Sequence, residues 1–252
     1  MRADQLLVER GIAASRSQAQ RLITAGLRWR VVAGAWRSVG KNGDEVPEGA
    51  ELELADAAEA RFVSRGGLKL EAALQATGVD AAGLVCLDVG QSTGGFTDCL
   101  LRHGASHVVG VDVGHGQLNP SLAADVRVSA FEGLNARALV AADLGNTAPP
   151  GGFDLVVGDL SFISLTLVLP ALSPLLKNGG DLLMLVKPQF ELQPGQVGKG
   201  GIVRDVSLYA VVEQRIRAAC AGTGLAVLRW LPSAIVGGDG NREFFIHAGR
   251  AR

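Results

Sequence analysis

The chain has 252 residues, 48% of them hydrophobic and 19% charged, with a formal net charge of −1 at pH 7. These values fit a packed globular protein of one large and one small domain and exclude an intrinsically disordered chain. They also exclude a molecule that binds polyanions through its overall charge, so any nucleic-acid surface must come from local segregation of charge. Cys86, Cys99 and Cys220 show neither disulfide nor zinc spacing, and the four histidines show no metal-ligand spacing, so no metal is expected and a reducing cytoplasm fits best. The N-terminus carries acids early and lacks the apolar centre of a signal peptide. The most apolar stretch, 160–176, is interrupted by Pro170 and Pro174, so no membrane-spanning segment is expected.

Residues 1–60 read as a separate small α+β domain. Asp4 to Arg10 predicts a short helix stopped by Gly11. Ser15 lies three residues before Gln18, a capping-box spacing, and Ala19, Leu22 and Ile23 line one face of a second helix ending at Gly26. Strand-like runs follow at 27–32 and 51–54. Charge is strongly divided here. Residues 10–43 hold Arg10, Arg16, Arg21, Arg28, Arg30, Arg37 and Lys41 without an acid, whereas 44–60 hold only acids, from Asp44 to Asp56 and Glu59. So small a unit is short of core, and its two tryptophans, Trp29 and Trp36, are expected to pack on the larger domain rather than stack on bases.

An Ala- and Glu-rich connector at 56–63 leads into the second domain, 61–252. Leu68, Leu70, Ala73 and Leu74 make a helical stripe ended by Gly78. Apolar runs at 84–90, 107–114, 153–161 and 180–189 alternate with helical segments, and 242–248 closes the chain. Near-continuous apolar strands between helices predict a Rossmann-like, doubly wound parallel sheet covered on both faces.

Ligands of such folds sit outside the carboxyl ends of the strands. Asp88, Gly90, Gly94 and Gly95 end the first strand and turn into a helix, where glycines allow close backbone approach. Asp112 ends the next strand, placed to hydrogen-bond a ribose diol, and strand order puts Asn135 near the base. The spacing lacks the close glycine pair that admits a pyrophosphate, so a nucleoside without phosphates, such as S-adenosylmethionine, fits better than a dinucleotide. Lys187 and Asp159 end neighbouring strands, with Lys69 on the preceding helix and Glu243 at the start of the last strand. Two lysines and two acids can hold and tune a proton-handling group, which a weakly acidic ribose hydroxyl requires. Lys199 and Arg204, in the Gly-rich segment 197–205, are expected on an RNA-contacting loop.

The segments SRGGLKLEAAL (64–74), CLDVGQSTGGFTDCLL (86–101), VDVGHGQL (111–118), DLSFISLTLVLPAL (159–172), LVKPQFE (185–191) and VGKGGIVRD (197–205) resemble the TlyA/hemolysin A family. That family is similar to the FtsJ/RrmJ-type ribose methyltransferases, whose site is a Lys-Asp-Lys-Glu tetrad. By motif the tetrad falls on Lys69, Asp159, Lys187 and Glu243, and the cofactor motif on Asp88, Gly90, Ser92, Gly94 and Gly95 with Asp112. The resemblance implies transfer of methyl from S-adenosylmethionine to cytidine 2′-hydroxyls of ribosomal RNA, free or in ribosomal subunits. SRSQAQRLITAGL (15–27) is similar to the alpha-L RNA-binding motif, which implies that Ser15, Arg16 and Arg21 face RNA phosphates. Gln91 stands where the family has a small residue and is expected to narrow the turn beside the cofactor. The alternatives are a non-catalytic RNA-binding assembly factor, methylation of a small molecule, and the membrane toxin that the word hemolysin suggests; tetrad, basic segment and absent apolar segment speak against them in turn.

Overall fold

The strands and helices of the computed structural model, which describes residues 1–13, 15–54, 61–237 and 240–250, fall into two units, Met1–Leu68 and Lys69–Arg252. Residues 61–68 go with the first unit. Phe62 is buried there and its carbonyl accepts from Gln18 Nε2 at 2.9 Å. The connector read at 56–63 lies partly outside the described residues, as do Asp56 and Glu59 of the acidic run.

The first unit packs α1 (Ala3–Glu9) and α2 (Arg16–Gly26) on a three-stranded antiparallel sheet of β1 (Leu27–Arg30), β2 (Arg37–Ser38) and β3 (Glu51–Leu54), in the order β2-β1-β3. Ser15 caps α2 by accepting from the Gln18 amide at 3.2 Å. Leu7, Ala19, Leu22 and Leu27 form its core. Trp29 packs against that core, and Trp36 lies under the Arg30 guanidinium, 4.6 Å from its ring centroid. Both tryptophans thus have contacts within the small unit, where aromatic area makes up for the short core. Across the sheet Arg28 faces Glu53 and Arg30 faces Glu51, so the basic and acidic runs meet as cross-strand pairs.

The chain then enters α3 (Gly66–Thr77). A seven-stranded sheet follows, built from β4 (Val85–Val89), β5 (His107–Asp112), β6 (Val128–Glu132), β7 (Phe153–Gly158), β8 (Leu176–Val186), β9 (Leu225–Pro232) and β10 (Phe244–Arg250). Its order is β6-β5-β4-β7-β8-β10-β9. Helices α4 (Gly95–Arg102), α5 (Pro120–Ala123), α6 (Leu169–Leu172), α7 (Pro188–Glu191) and α8 (Leu208–Gly222) connect the strands. β4 to β8 run parallel, and their buried residues form the main core with α6 and α8. The last two strands correct the all-parallel expectation, since β10 pairs antiparallel with both β8 and β9. β9 is an edge strand with one wet face, and its mixed burial hid it from a reading that looked for apolar runs. Strand order reverses at β4, which opens a crevice beyond the carboxyl ends of β4, β5 and β7.

Candidate active site

A cavity of about 460 Å³ fills that crevice, lined among others by Gly90, Ser92, Asp112, Asn135, Asp159, Ser161 and Phe162. Gly90 has φ +82°, and a Cβ there would lie 2.9 Å from the Asp159 carbonyl oxygen, so only glycine fits this crossing of the β4 and β7 ends. Ser92 also adopts positive φ, at 47°. Its N–H donates to Asp112 Oδ2 at 2.8 Å, and the Gly114 N–H donates to Oδ1 at 2.7 Å. The Asp112 carboxylate is thus fixed at the cavity wall with lone pairs to spare for a diol. Asn135 caps a short 3-10 turn by accepting from Arg137 N.

Three residues of the cofactor motif lie behind this wall. Gly94, the N-cap of α4 at φ +91°, lets Leu118 and Leu122 close over the turn, and Gly95 starts the helix; both are buried off the cavity. Asp88 is 1% exposed and accepts from Thr97 Oγ1 at 2.7 Å, while Thr97 accepts from Gln91 Nε2 at 2.9 Å. Burial pushes the Asp88 carboxyl up to about 7, against the lowering effect of the Thr97 hydrogen bond. Gln91 does not narrow the turn as expected. Its amide is buried against β5, where a Cβ on Gly110 would overlap it at 2.0 Å, so Gly110 supplies the room for the larger side chain.

The four tetrad candidates form two ion pairs. Lys187, the residue after β8, lies 2.6 Å from Asp159 and donates to Ser161 Oγ at 2.8 Å. Lys69 on α3 lies 2.5 Å from Glu243, with both side chains more than nine-tenths buried. Burial raises the Glu243 carboxyl above its ordinary value, and the Lys69 charge partly offsets that; Asp159 and Lys187 act on the same carboxyl from nearby. Ser161, which lines the cavity beside Asp159, was not singled out from sequence. Phe162 projects beside it. It is 91% exposed, has φ +63°, and its ring centroid is 5.3 Å from that of Phe190. A bulky residue at positive φ is a backbone outlier of the kind that concentrates at functional sites.

Within the first unit, Ser15 is spent on its cap and Arg16 is exposed. Arg21 lines a polar recess with Ser17, Gln20, Thr24, Asn42 and Arg65, donors and small hydroxyls without a carboxylate. Asn42 and Arg65 come from loops distant in sequence, which is why linear reading missed them. Lys199 and Arg204 are exposed on the 199–204 segment and do not line the cavity. Buried Asn241 holds that segment, accepting from Val203 N at 2.9 Å and donating to Gly201 O at 2.8 Å.

The cavity suits a nucleoside sulfonium. It pairs a fixed carboxylate with apolar Leu134, Ala136 and Ile163, and the Gly90 crossing leaves no side chain in the way. No array of phosphate-binding groups lies among the lining residues described here.

The FtsJ-like methyltransferase family matches residues 62–250. The 16S/23S rRNA (cytidine-2'-O)-methyltransferase TlyA of Mycobacterium tuberculosis is 44% identical over 245 residues, covering 97% of this chain and 88% of that protein. Hemolysin A of Brachyspira hyodysenteriae is 36% identical over 247 residues, 98% of this chain and 99% of the relative. Among solved structures, a hemolysin from Streptococcus thermophilus superimposes with TM-score 0.76 at 40% identity, covering 100% of this chain and 88% of that one. An S-adenosylmethionine dependent methyltransferase from Listeria monocytogenes, with TM-score 0.53 and 14% identity over 74% of this chain and 99% of its own, shares the fold alone.

Proposed function

This chain belongs to the FtsJ-like methyltransferase family, and we propose that it transfers a methyl group from S-adenosylmethionine to a ribose 2′-hydroxyl, that of a cytidine, in ribosomal RNA. The observation that carries this reading is Lys187 held between Asp159 and Ser161 at the edge of a nucleoside-sized cavity. Asp112 would hold the cofactor ribose, Asn135 the base end, and Gly90 and Ser92 the turn beneath it. The cofactor supplies an electrophilic sulfonium methyl.

The remaining work falls to the chain. A 2′-hydroxyl is a poor nucleophile and must be aligned with the methyl carbon. The Lys187 ammonium, fixed by two oxygen partners, orients the 2′-oxygen, and the hydroxyl proton passes to the Asp159 carboxylate as the oxygen–methyl bond forms and the methyl–sulfur bond breaks, its electron pair staying on sulfur. Lys69 and Glu243, buried beside them, set the local charge. Phe162 offers an exposed ring face to an unstacked base. In the first unit, Arg16 and the recess of Arg21 and Arg65 supply phosphate contacts, which bring affinity without choice of sequence; Lys199 and Arg204 add two more.

The test is transfer of labelled methyl from S-adenosylmethionine to purified ribosomal subunits and to naked rRNA. Label recovered in alkali-resistant dinucleotides, which only 2′-O-methylation produces, is the expected result. Label in a base, or cofactor binding with no transfer to any ribosomal substrate, would overturn the proposal.

A further inference from the structure

Glu191 is among the few buried carboxylates that the proposed chemistry leaves unused. It is 3% exposed and ends α7, the single turn that starts one residue after Lys187. Its two oxygens are directed back at the neighbouring segment. Oε2 accepts from Ser164 Oγ at 2.5 Å, and Oε1 accepts from the Leu165 N–H at 2.7 Å. The Glu191 carbonyl accepts in turn from Arg215 Nη1 of α8 at 2.6 Å. Ser164 and Leu165 close the segment that leaves β7 through Asp159, Ser161 and Phe162. Two segments that follow adjacent parallel strands are therefore joined at both ends. Asp159 and Ser161 meet Lys187 at one end, Ser164 and Leu165 meet Glu191 at the other, and Phe162 rests on Phe190 between them.

The geometry states why such a joint is needed. Phe162 is held at φ +63° although the residue is 91% exposed, so burial of its own side chain does not hold this conformation. Backbone in such a region persists only where its surroundings over-determine it. A buried donor left without its acceptor is costly, and two hydrogen bonds at one side chain fix both the Ser164 hydroxyl and the Leu165 backbone amide. Burial raises the Glu191 carboxyl, while Ser164, Leu165 and Arg215 act in the opposite direction, consistent with an acceptor kept in place by its donors.

We propose that Glu191 is a positioning residue: through Ser164 and Leu165 it holds segment 159–164 in the conformation that sets Asp159 and Ser161 on Lys187 and presents Phe162 to the target nucleotide. The role given to the nucleotide rests on the function proposed above. Glu191 is not among the residues that line the cavity, so its effect is carried by the segment.

Three full-length variants separate geometry from charge. Glu191→Gln keeps an acceptor for the Leu165 N–H and places an amide donor on Ser164 Oγ, so it behaves like the wild type. Glu191→Asp keeps the charge but is one methylene short, and Glu191→Ala removes both contacts. Each of the latter raises KM for the ribosomal substrate and lowers kcat by about tenfold, the scale of a small misplacement of reacting groups, while S-adenosylmethionine affinity stays within about twofold. Ser164→Ala, which leaves the carboxylate in place, reproduces part of the KM rise. Hydrogen exchange of residues 159–165 in the free protein is the readout independent of activity: it speeds up in the Ala and Asp variants and not in Gln. Wild-type-like Asp with impaired Gln would overturn the proposal in favour of a charge effect. Unchanged exchange in Ala, or exchange raised equally across β7 and β8, would overturn it in favour of no role or of plain stability. Faster local exchange in Ala with a wild type that methylates no rRNA would leave the positioning role standing and remove the proposed function instead.

Discussion

Lys69 and Glu243 form the more buried of the two ion pairs, with the charges of Asp159 and Lys187 acting on the Glu243 carboxyl from nearby. Removing one partner of a buried ion pair strands a charge in low dielectric and costs about 3–5 kcal/mol, whereas replacing both with apolar residues is often neutral. Glu243→Ala is therefore expected to lower unfolding stability by about 3–5 kcal/mol, with much of the loss recovered in Lys69→Met/Glu243→Leu. Urea titration measures both, and a double variant as unstable as the single would contradict the pairing. Asp88 carries a pH prediction. Its folded pKa of about 7 exceeds the ordinary 3.8, so between these values the folded state holds a proton that the unfolded state has lost. Stability from this group is full below about pH 4, falls as pH rises through 7, and is constant above, a total of a few kcal/mol at most. Asp88→Asn flattens that slope in unfolding experiments between about pH 4 and 7; an unchanged slope would place the titration elsewhere. Asp88, Asp112, Asp159 and Lys187 were legible in sequence because each stands at the end of an apolar strand, where a charge has no structural reason to be, whereas Lys69, on a helix, and Glu243, before a strand, were placed by the family motif. Glu191, Asn241 and Ser161 were not legible, because their partners are brought near only by the crossing of loops.

At the scale of elements, the glycine turn between β4 and α4 carries most of the cofactor reading. Its Gly90 and Gly94 serve different ends, the first letting the β7 end approach and the second capping a helix under two leucines, while Gly110 on the neighbouring β5 makes room for Gln91. The sequence showed that this turn needed glycines but not which of them faces the ligand, since spacing along a strand does not reveal what packs across it. Gly90→Ala must place a Cβ 2.9 Å from a backbone oxygen at a left-handed φ, with no flexible side chain to yield. Calorimetric titration of the variant is expected to show S-adenosylmethionine affinity reduced by about tenfold or more, the scale of 1.4 kcal/mol of strain. Unchanged affinity would mean that the turn is not part of the cofactor site. The same limit explains β9 and α8, whose half-wet faces carry no run of apolar residues to betray them, while the parallel strands β4, β5, β7 and β8 were read within a few residues of their observed ends.

For the molecule as a whole, near-zero net charge hides a divided first unit. Arg28 and Arg30 spend their charge on Glu53 and Glu51. Arg16 and the recess of Arg21 and Arg65 remain on the α2 side, and they are the residues expected to meet phosphate. Substituting Arg16 and Arg21 with Gln is expected to weaken rRNA binding at all sequences alike and to reduce the slope of log affinity against log salt by about one per residue, with kcat at saturating RNA unchanged. A slope that does not move would assign the phosphate contacts to other groups. Among the described residues no helix is long and apolar enough to cross a membrane, and the three cysteines are buried thiols, with Cys86 pushed up to about 12 and Cys220 to about 11 by burial.

Lys187 is the residue on which the proposed reaction depends most. The most direct measurement is single-turnover methyl transfer to ribosomal RNA by Lys187→Ala beside the wild type, with S-adenosylmethionine binding measured on the same samples. Loss of the group that orients the hydroxyl predicts a rate lower by about 10²–10⁴-fold with cofactor affinity preserved. A variant that transfers methyl at the wild-type rate would contradict the central claim, because the Lys187–Asp159 pair would then have no part in the reaction.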